Sequence, residues 1–198
     1  MIKVCDPNKI ILGQKKSDNF RVFLDIDGVM DNWTESACKL CNIDYNDTEI
    51  RNKIKKTGRI EAVIEEEKVW EAIDKEGSSY WANLPLFSWS KKLYDELKSL
   101  VGNVCFLSSP SDDPNSAKGK FEWIKNNFDT EDFLIGSAKH FCANKNSLLV
   151  DDYQKKIDKF EEYGGNGFLW PDGFSLIDRD VDIEETKKEL FEIIKRIK

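Results

Sequence analysis

The strongest constraint in this sequence is a recurring pattern: a short run of strand-forming apolar residues that stops on small polar or acidic side chains. It occurs in RVFLDI (21–26), NVCFLS (103–108) and SLLVDD (147–152), with shorter versions in FLIG (133–136) and GFLW (167–170). A further short strand is expected around Lys9 to Leu12. Amphipathic segments stand between these runs. SWSKKLYDELKSLV sets Trp89, Leu93, Leu97 and Leu100 on one face, and KGKFEWIKNNF reads as a helix with Phe121, Ile124 and Phe128 turned inward. YQKKIDKFEEYGG closes on glycine, and DIEETKKELFEIIKRIK carries Ile183, Leu190, Ile194 and Ile197 on one stripe. Strands alternating with helices predict an α/β fold: a Rossmann-like, mostly parallel sheet with helices on both faces. In such sheets chemistry gathers at the carboxyl ends of the strands, so the polar residues ending each run are the ones to examine.

Composition narrows the class. At 198 residues the chain suits one core domain with a small insertion. A net charge of -7 argues against wholesale attraction to nucleic acid, and no apolar run is long enough to cross a bilayer. The N-terminal stretch lacks the charged-then-apolar layout of a secretion signal, which makes the cytoplasm the expected location. The odd, scattered cysteines at 5, 38, 41, 105 and 142 read as free thiols. Cys38 and Cys41 form a CxxC that no second pair or histidine cluster completes into a zinc site. His140 is the only histidine, which excludes mechanisms needing both a histidine base and a histidine ligand. From Asp31 to about Asn83, helical segments alternate with charge clusters and no strand pattern appears. The expected division is therefore a core of residues 1–30 and 84–198 with a small helical cap, residues 31–83, inserted after the first run.

Asp25 and Asp27 are two apart on a strand end and so point the same way. Two carboxylates held together repel unless a cation or proton intervenes, and a hard divalent cation with oxygen ligands, magnesium above all, answers that need. Asp151 or Asp152, arriving on a neighbouring strand, can complete the set. A calcium loop is a poor alternative, because Val29 stands where an EF-hand wants an acid. Aspartates ending a buried apolar run are costly without a role.

The runs VFLDIDGVMDN, CFLSSP and LLVDDY together resemble three of the four signature motifs of the haloacid dehalogenase superfamily, whose fourth is a lysine preceding the last aspartate motif. The resemblance implies a magnesium-dependent phosphomonoester hydrolase acting through an aspartyl-phosphate. It makes Asp25 the nucleophile and Asp27 the general acid/base, with Ser108 and Ser109 binding the phosphoryl oxygens. Magnesium would be held by Asp25, Asp151 and the Asp27 carbonyl, with Asp152 as an outer or alternate ligand. An acid two residues after the nucleophile separates the phosphatases from the dehalogenases of this superfamily. For the lysine, Lys139 is favoured; Lys145 falls in the loop entering the SLLVDD strand, and Lys120 opens the helix after CFLSSP.

The segment YWANLPLFSWSKKLYDELK, with FLSSP and KGKFEWIKNNF, resembles the 5'(3')-deoxyribonucleotidase branch, which implies a nucleoside monophosphate substrate. Aromatic residues of the insertion, Trp33 and Trp81 foremost, are candidates for stacking on a base, or they form the core of the cap. The basic run Arg51, Lys53, Lys55, Lys56 and Arg59, followed by Glu61, Glu65, Glu66 and Glu67, supports a different partner, a nucleic-acid end bound by a polynucleotide 3'-end phosphatase, or else forms a solvated helix face. A catalytically silent module that binds a phosphorylated partner is the third reading. None of the three involves a membrane.

Overall fold

The computed structural model describes residues 19–57, 60–171 and 182–198; the strand expected around Lys9 to Leu12 lies outside them. Five parallel strands form one sheet: β1 (Arg21–Leu24), β2 (Val104–Ser108), β3 (Phe133–Ile135), β4 (Ser147–Asp151) and β5 (Asn166–Leu169), in the order β3-β2-β1-β4-β5. Central β1 sets Val22 beside both Val104 and Leu148. Val22, Leu24, Val104, Phe106, Leu148 and Val150 enter the larger core, while Phe23, Leu107 and Leu149 enter a smaller one on the opposite face. A sheet buried on both faces has no use for polar alternation, which is why its strands read as continuous apolar runs. Truncating a fully buried residue here, such as Leu24→Ala, would cost about 2–5 kcal/mol.

Helices α5 (Ser90–Val101), α6 (Pro114–Asn127) and α8 (Ile183–Ile197) pack Leu93, Leu97, Trp123, Ile124, Leu190 and Ile194 into the larger core. Helix α7 (Gln154–Glu162) covers the other face with Ile157 and Phe160. Local chemistry sets the helix ends. Asp113 accepts from the Asn115 amide with Pro114 at the first position of α6, and Asp182 accepts from the amides of Glu184 and Glu185 at the start of α8. One inward residue was misassigned by periodicity. Phe121 is 48% exposed and packs edge-on against Phe133, while Trp123 is fully buried. The buried stripe of α6 runs through Gly119, Lys120, Trp123 and Ile124, so a lysine occupies a core-facing position and shifts the apparent phase.

Between β1 and α5 the chain is helical: α1 (Trp33–Leu40), α2 (Thr48–Thr57), α3 (Glu66–Glu76) and α4 (Ser78–Ala82), with a 3-10 turn at Ile60–Ala62. This segment leaves and returns at one place, where Asp31 bridges Leu86 in antiparallel fashion, the Asn32 amide donates to the Pro85 carbonyl and Ser90 Oγ donates to the Met30 carbonyl at 2.6 Å. Helix α4 lies tight against α6: a Cβ at Gly119 would stand 2.4 Å from both the Ser78 carbonyl and the Trp81 Cβ, so only glycine permits the approach. No helix among the described residues is long and apolar enough to cross a membrane.

Candidate active site

The chain runs outward from β1 to β2 and β3, then returns to lay β4 on the other side of β1. The carboxyl ends of β1 and β4 therefore flank the point where strand order reverses, the usual place for a binding crevice. Asp25 follows β1 directly, its amide donating to the Val150 carbonyl at 2.9 Å. The turn beyond it is tight. The amides of Val29, Met30 and Asp31 all converge on the Ile26 carbonyl, and Gly28 adopts a positive φ of 76°. A Cβ at Gly28 would lie 2.0 Å from Asp152 Oδ2, so glycine lets the β1 turn and the β4 end meet face to face.

Carboxylate oxygens of Asp25, Asp151 and Asp152 all lie within 4.8 Å of one another. The cluster is closed by Lys139, buried in the 3-10 turn Lys139–Cys142, whose Nζ stands 2.8 Å from Asp25 Oδ1 and 2.7 Å from Asp151 Oδ2. The Ile26 amide donates to Asp25 Oδ1 at 2.8 Å, and the Tyr153 amide to Asp151 Oδ1 at 3.0 Å. The Asp27 carboxylate stands outside this group and pairs through Oδ2 with Lys120, leaving its Oδ1 buried without a hydrogen-bond partner. Asp27's expected role as a metal ligand used only its main-chain carbonyl, and the side-chain position is compatible with that. Lys120 also donates to Ser108 Oγ at 2.9 Å and sits 5.0 Å above the Trp81 ring. Ser109 Oγ accepts from Lys156 Nζ at 2.5 Å.

The two aspartates of β1 are driven apart electrostatically. Burial opposes ionisation of Asp25, but Lys139 and then Lys120 outweigh it and hold the carboxyl below its ordinary range. For Asp27 burial wins over Lys120, with the Asp25 charge adding to it, and its pKa is raised. Burial followed by the Asp25 charge raises Asp151 to about 6, and burial with Asp25 and Asp151 raises Asp152 well above the ordinary range. Lys139 is held protonated: burial works against it, and Asp25 and Asp151 more than compensate. Asp151 and Asp152, with raised proton affinity, beside the lowered Asp25 form a carboxylate donor set that suits a divalent cation.

The sequence-derived candidates fall as follows. Asp25, Asp27, Ser108, Ser109, Lys139, Asp151 and Asp152 meet at one end of the sheet. Lys145 is exposed in the turn entering β4, on the far side of the strand from that end. Lys120, ranked behind Lys139, lies in the site beside Asp27. Trp33 is partly buried against Trp70, ring centres 6.1 Å apart, and Trp81 is only 3% exposed beneath Lys120. Asp31 and Lys156 were passed over; both stand in or just beyond the quoted motifs and could have been found as charged residues following the strand ends. Cys38, Cys41, Cys105 and Cys142 are free thiols, as expected, and His140 packs between Phe141 and Tyr163. A groove of about 510 Å³ lined by Arg21, Phe23, Asn103, Cys105 and Phe141 opens at the opposite, amino ends of the strands, away from the clustered carboxylates.

No family model and no curated protein matches the chain. Among solved structures, a hydrolase from Streptococcus pneumoniae TIGR4 is similar over 86% of this chain and 98% of that one, at 13% identity and a TM-score of 0.53. A HAD family hydrolase from Deinococcus radiodurans R1, solved with bound phosphate and sodium, covers 80% of this chain and 86% of its own at 10% identity and a TM-score of 0.49. A hydrolase from Pseudomonas syringae covers 85% and 89% at 14% identity and a TM-score of 0.45. At such identities the pneumococcal likeness speaks to the fold, the α/β Rossmann-like arrangement described above.

Proposed function

We propose that this chain is a magnesium-dependent phosphomonoester hydrolase of the haloacid dehalogenase type, working through an aspartyl-phosphate on Asp25. The observation that carries the reading is the meeting of Asp25, Asp151 and Asp152 around Lys139 at the reversal point of the sheet. Asp25 is held below the ordinary carboxylate range by Lys139 while burial pushes Asp27 above it, and neighbouring carboxyls with opposed pKa shifts are how one site supplies both nucleophile and acid.

Asp25, Asp151 and the Asp27 carbonyl would hold the metal, with Asp152 beside them; bound there, a divalent cation supplies charge neutralisation for the phosphoryl oxygens. Asp25 Oδ1 is engaged by the Ile26 amide and Lys139, which fixes the carboxylate and leaves Oδ2 for attack. In the first step an Asp25 oxygen bonds to phosphorus, the ester P–O bond breaks, and Asp27 gives its proton to the departing alkoxide. In the second, water attacks the same phosphorus while Asp27 takes back a proton, releasing phosphate and restoring the Asp25 carboxylate. Ser108 and Lys120 face the equatorial oxygens, where fixed donors do most of their work in phosphoryl transfer.

For the substrate we propose a nucleoside monophosphate, on the resemblance of Tyr80–Pro85 and Ser108–Pro110 to the deoxyribonucleotidase branch. Helices α1 to α4 act in this reading as a cap whose neck adjoins the site at Asp31 and Leu86. The test is a hydrolysis panel with magnesium covering deoxyribonucleoside and ribonucleoside monophosphates, sugar phosphates and 3'-phosphorylated oligonucleotides. Deoxyribonucleoside monophosphates should head the ranking. A panel led by sugar phosphates or oligonucleotides would overturn the substrate, and no phosphate release from any member would overturn the enzyme.

A further inference from the structure

Three lysines reach the end of β1, and they differ in what already occupies them. Lys139 spends two donors on the carboxylates of Asp25 and Asp151. Lys120 spends one on Asp27 and one on Ser108. Lys156, in the first turn of α7, makes its contact with a neutral group, Ser109 Oγ at 2.5 Å, and has no carboxylate partner among the described residues. To make it, the side chain crosses from the helix after β4 to the residue after β2, over the end of β1 between them. Its surroundings confirm the nearness: burial and the charge of Lys139 depress its proton affinity, Asp25 and Asp151 act in the opposite sense, and Lys120 adds to the depression.

We infer that Lys156 and Ser109 form an anion-binding pair that engages the phosphoryl group of substrate and product from the α7 side of the site. A serine oxygen that accepts from an ammonium keeps its own proton free to donate. The pair therefore presents an O–H and up to two further N–H donors, none of them paired with a carboxylate among the described residues. A cation placed against two other cations is unfavourable until negative charge arrives, and a phosphate dianion supplies it. Lys139 has one donor left after its two carboxylates, so it serves mainly to hold Asp25 and Asp151 together. Lys156 is the better equipped of the two to bind the leaving phosphate. This inference rests on the reading of the site as a phosphomonoesterase.

The test uses the whole chain with magnesium, p-nitrophenyl phosphate as substrate and inorganic phosphate as the binding probe, measured both calorimetrically and as a competitive inhibitor. Lys156→Met should weaken phosphate binding by at least about tenfold, the expected loss for a charge-assisted hydrogen bond, and raise KM in proportion while kcat changes by less than about threefold. Lys156→Arg should recover most of the binding, and Ser109→Ala should fall between. Phosphate binding by Lys156→Met within about twofold of wild type would overturn the assignment. Should that variant fail to fold by circular dichroism, Ser109→Ala decides the matter, since unchanged phosphate affinity there overturns the pair equally. The two readings fail separately. A wild type that binds phosphate through Lys156 yet hydrolyses no phosphomonoester refutes the enzyme alone, and active enzyme whose Lys156→Met variant keeps wild-type phosphate affinity and KM refutes this pair alone.

Discussion

Asp25 and Asp31 lie on one short stretch of chain and are both buried, at 9% and 0% exposure, yet they meet opposite fates. Asp25 has Lys139 at 2.8 Å and the Ile26 amide at the same distance, and these hold it ionised against burial. No cation pairs with Asp31 among the described residues; burial first, then the charge of Asp27, outweigh Lys120 and the Trp33 amide and raise its pKa well above the ordinary carboxylate range. Burial alone does not decide the charge state of an acid; the partners waiting for it do. The strand end is built to keep a charge, and the neck of the helical segment surrounds a carboxyl whose proton affinity is raised.

The comparison is broken most severely at Asp25. Asp25→Asn removes the nucleophile while keeping its shape, and phosphate release should fall by at least about a thousandfold with the fold intact. Chelating the divalent cation should have a comparable effect, reversed by magnesium. Turnover by Asp25→Asn within about tenfold of wild type would sink the mechanism. Lys139→Ala comes next, because it strands Asp25 and Asp151 without their shared cation. We expect kcat/KM to drop on the order of a hundredfold and stability to fall by about 3–5 kcal/mol, the cost of leaving buried charge uncompensated. Lys145→Ala, in an exposed turn at the other end of β4, should change neither. The reverse ranking in steady-state kinetics would remove Lys139 from the working site.

At Asp31 the expected effect is on stability and has a definite sign. A carboxyl whose folded pKa is raised contributes stability that is present below the ordinary carboxylate range and is lost as pH rises through the raised value. Asp31→Asn cannot ionise and escapes that loss. Its stability relative to wild type should therefore grow with pH across this window, by roughly 1.4 kcal/mol per pH unit. Any penalty from a poorly bonded amide is constant with pH and leaves the slope untouched. Urea unfolding of both proteins at about pH 5 and about pH 7 measures it, and a flat difference would mean that Asp31 is ionised in the native protein.

These residues were unequally legible in the sequence. The sheet was readable because its central strands β2, β1 and β4 are buried on both faces and so announce themselves as apolar runs ending in polar residues. Asp25, Ser108 and Asp151 were readable for the same reason, since a strand end fixes where a side chain points. Lys120 and Lys156 were harder, because their positions depend on where two helices come to rest. Lys120 reaches Asp27 only through the contact of α4 with α6 at Gly119, and Lys156 reaches Ser109 only by spanning β1. Phe121 was misread because Lys120 takes an inward place that periodicity reserves for an apolar residue. Asp31 closes the VFLDIDGVMDN run, but an acid after DGVM reads as a solvated turn until the returning chain is seen to bridge it at Leu86.

Helix α2 supplies the third case, charge left in water, and the smallest expected effect. Lys53 is 53% exposed and pairs at 2.7 Å with Glu49, itself 79% exposed, one turn earlier on the same helix. An exposed pair of this kind is screened by salt and fixes little. Lys56 is also exposed; Lys55 and Arg59 of the basic run lie outside the described side chains. If this face is merely solvated, Lys53→Glu and Lys56→Glu should leave hydrolysis of a deoxyribonucleoside monophosphate within about twofold of wild type. They should leave the low activity expected on a 3'-phosphorylated oligonucleotide equally unchanged. A face that gathers a polynucleotide behaves differently, because each phosphate it neutralises releases a counterion and steepens the dependence on salt by about one logarithmic unit per unit. Measuring kcat/KM for both substrates across a salt series in wild type and the two variants separates the cases. Strong salt sensitivity confined to the oligonucleotide, and abolished by the charge reversals, would turn α2 from a solvated face into a binding surface and favour the end-phosphatase substrate over the mononucleotide.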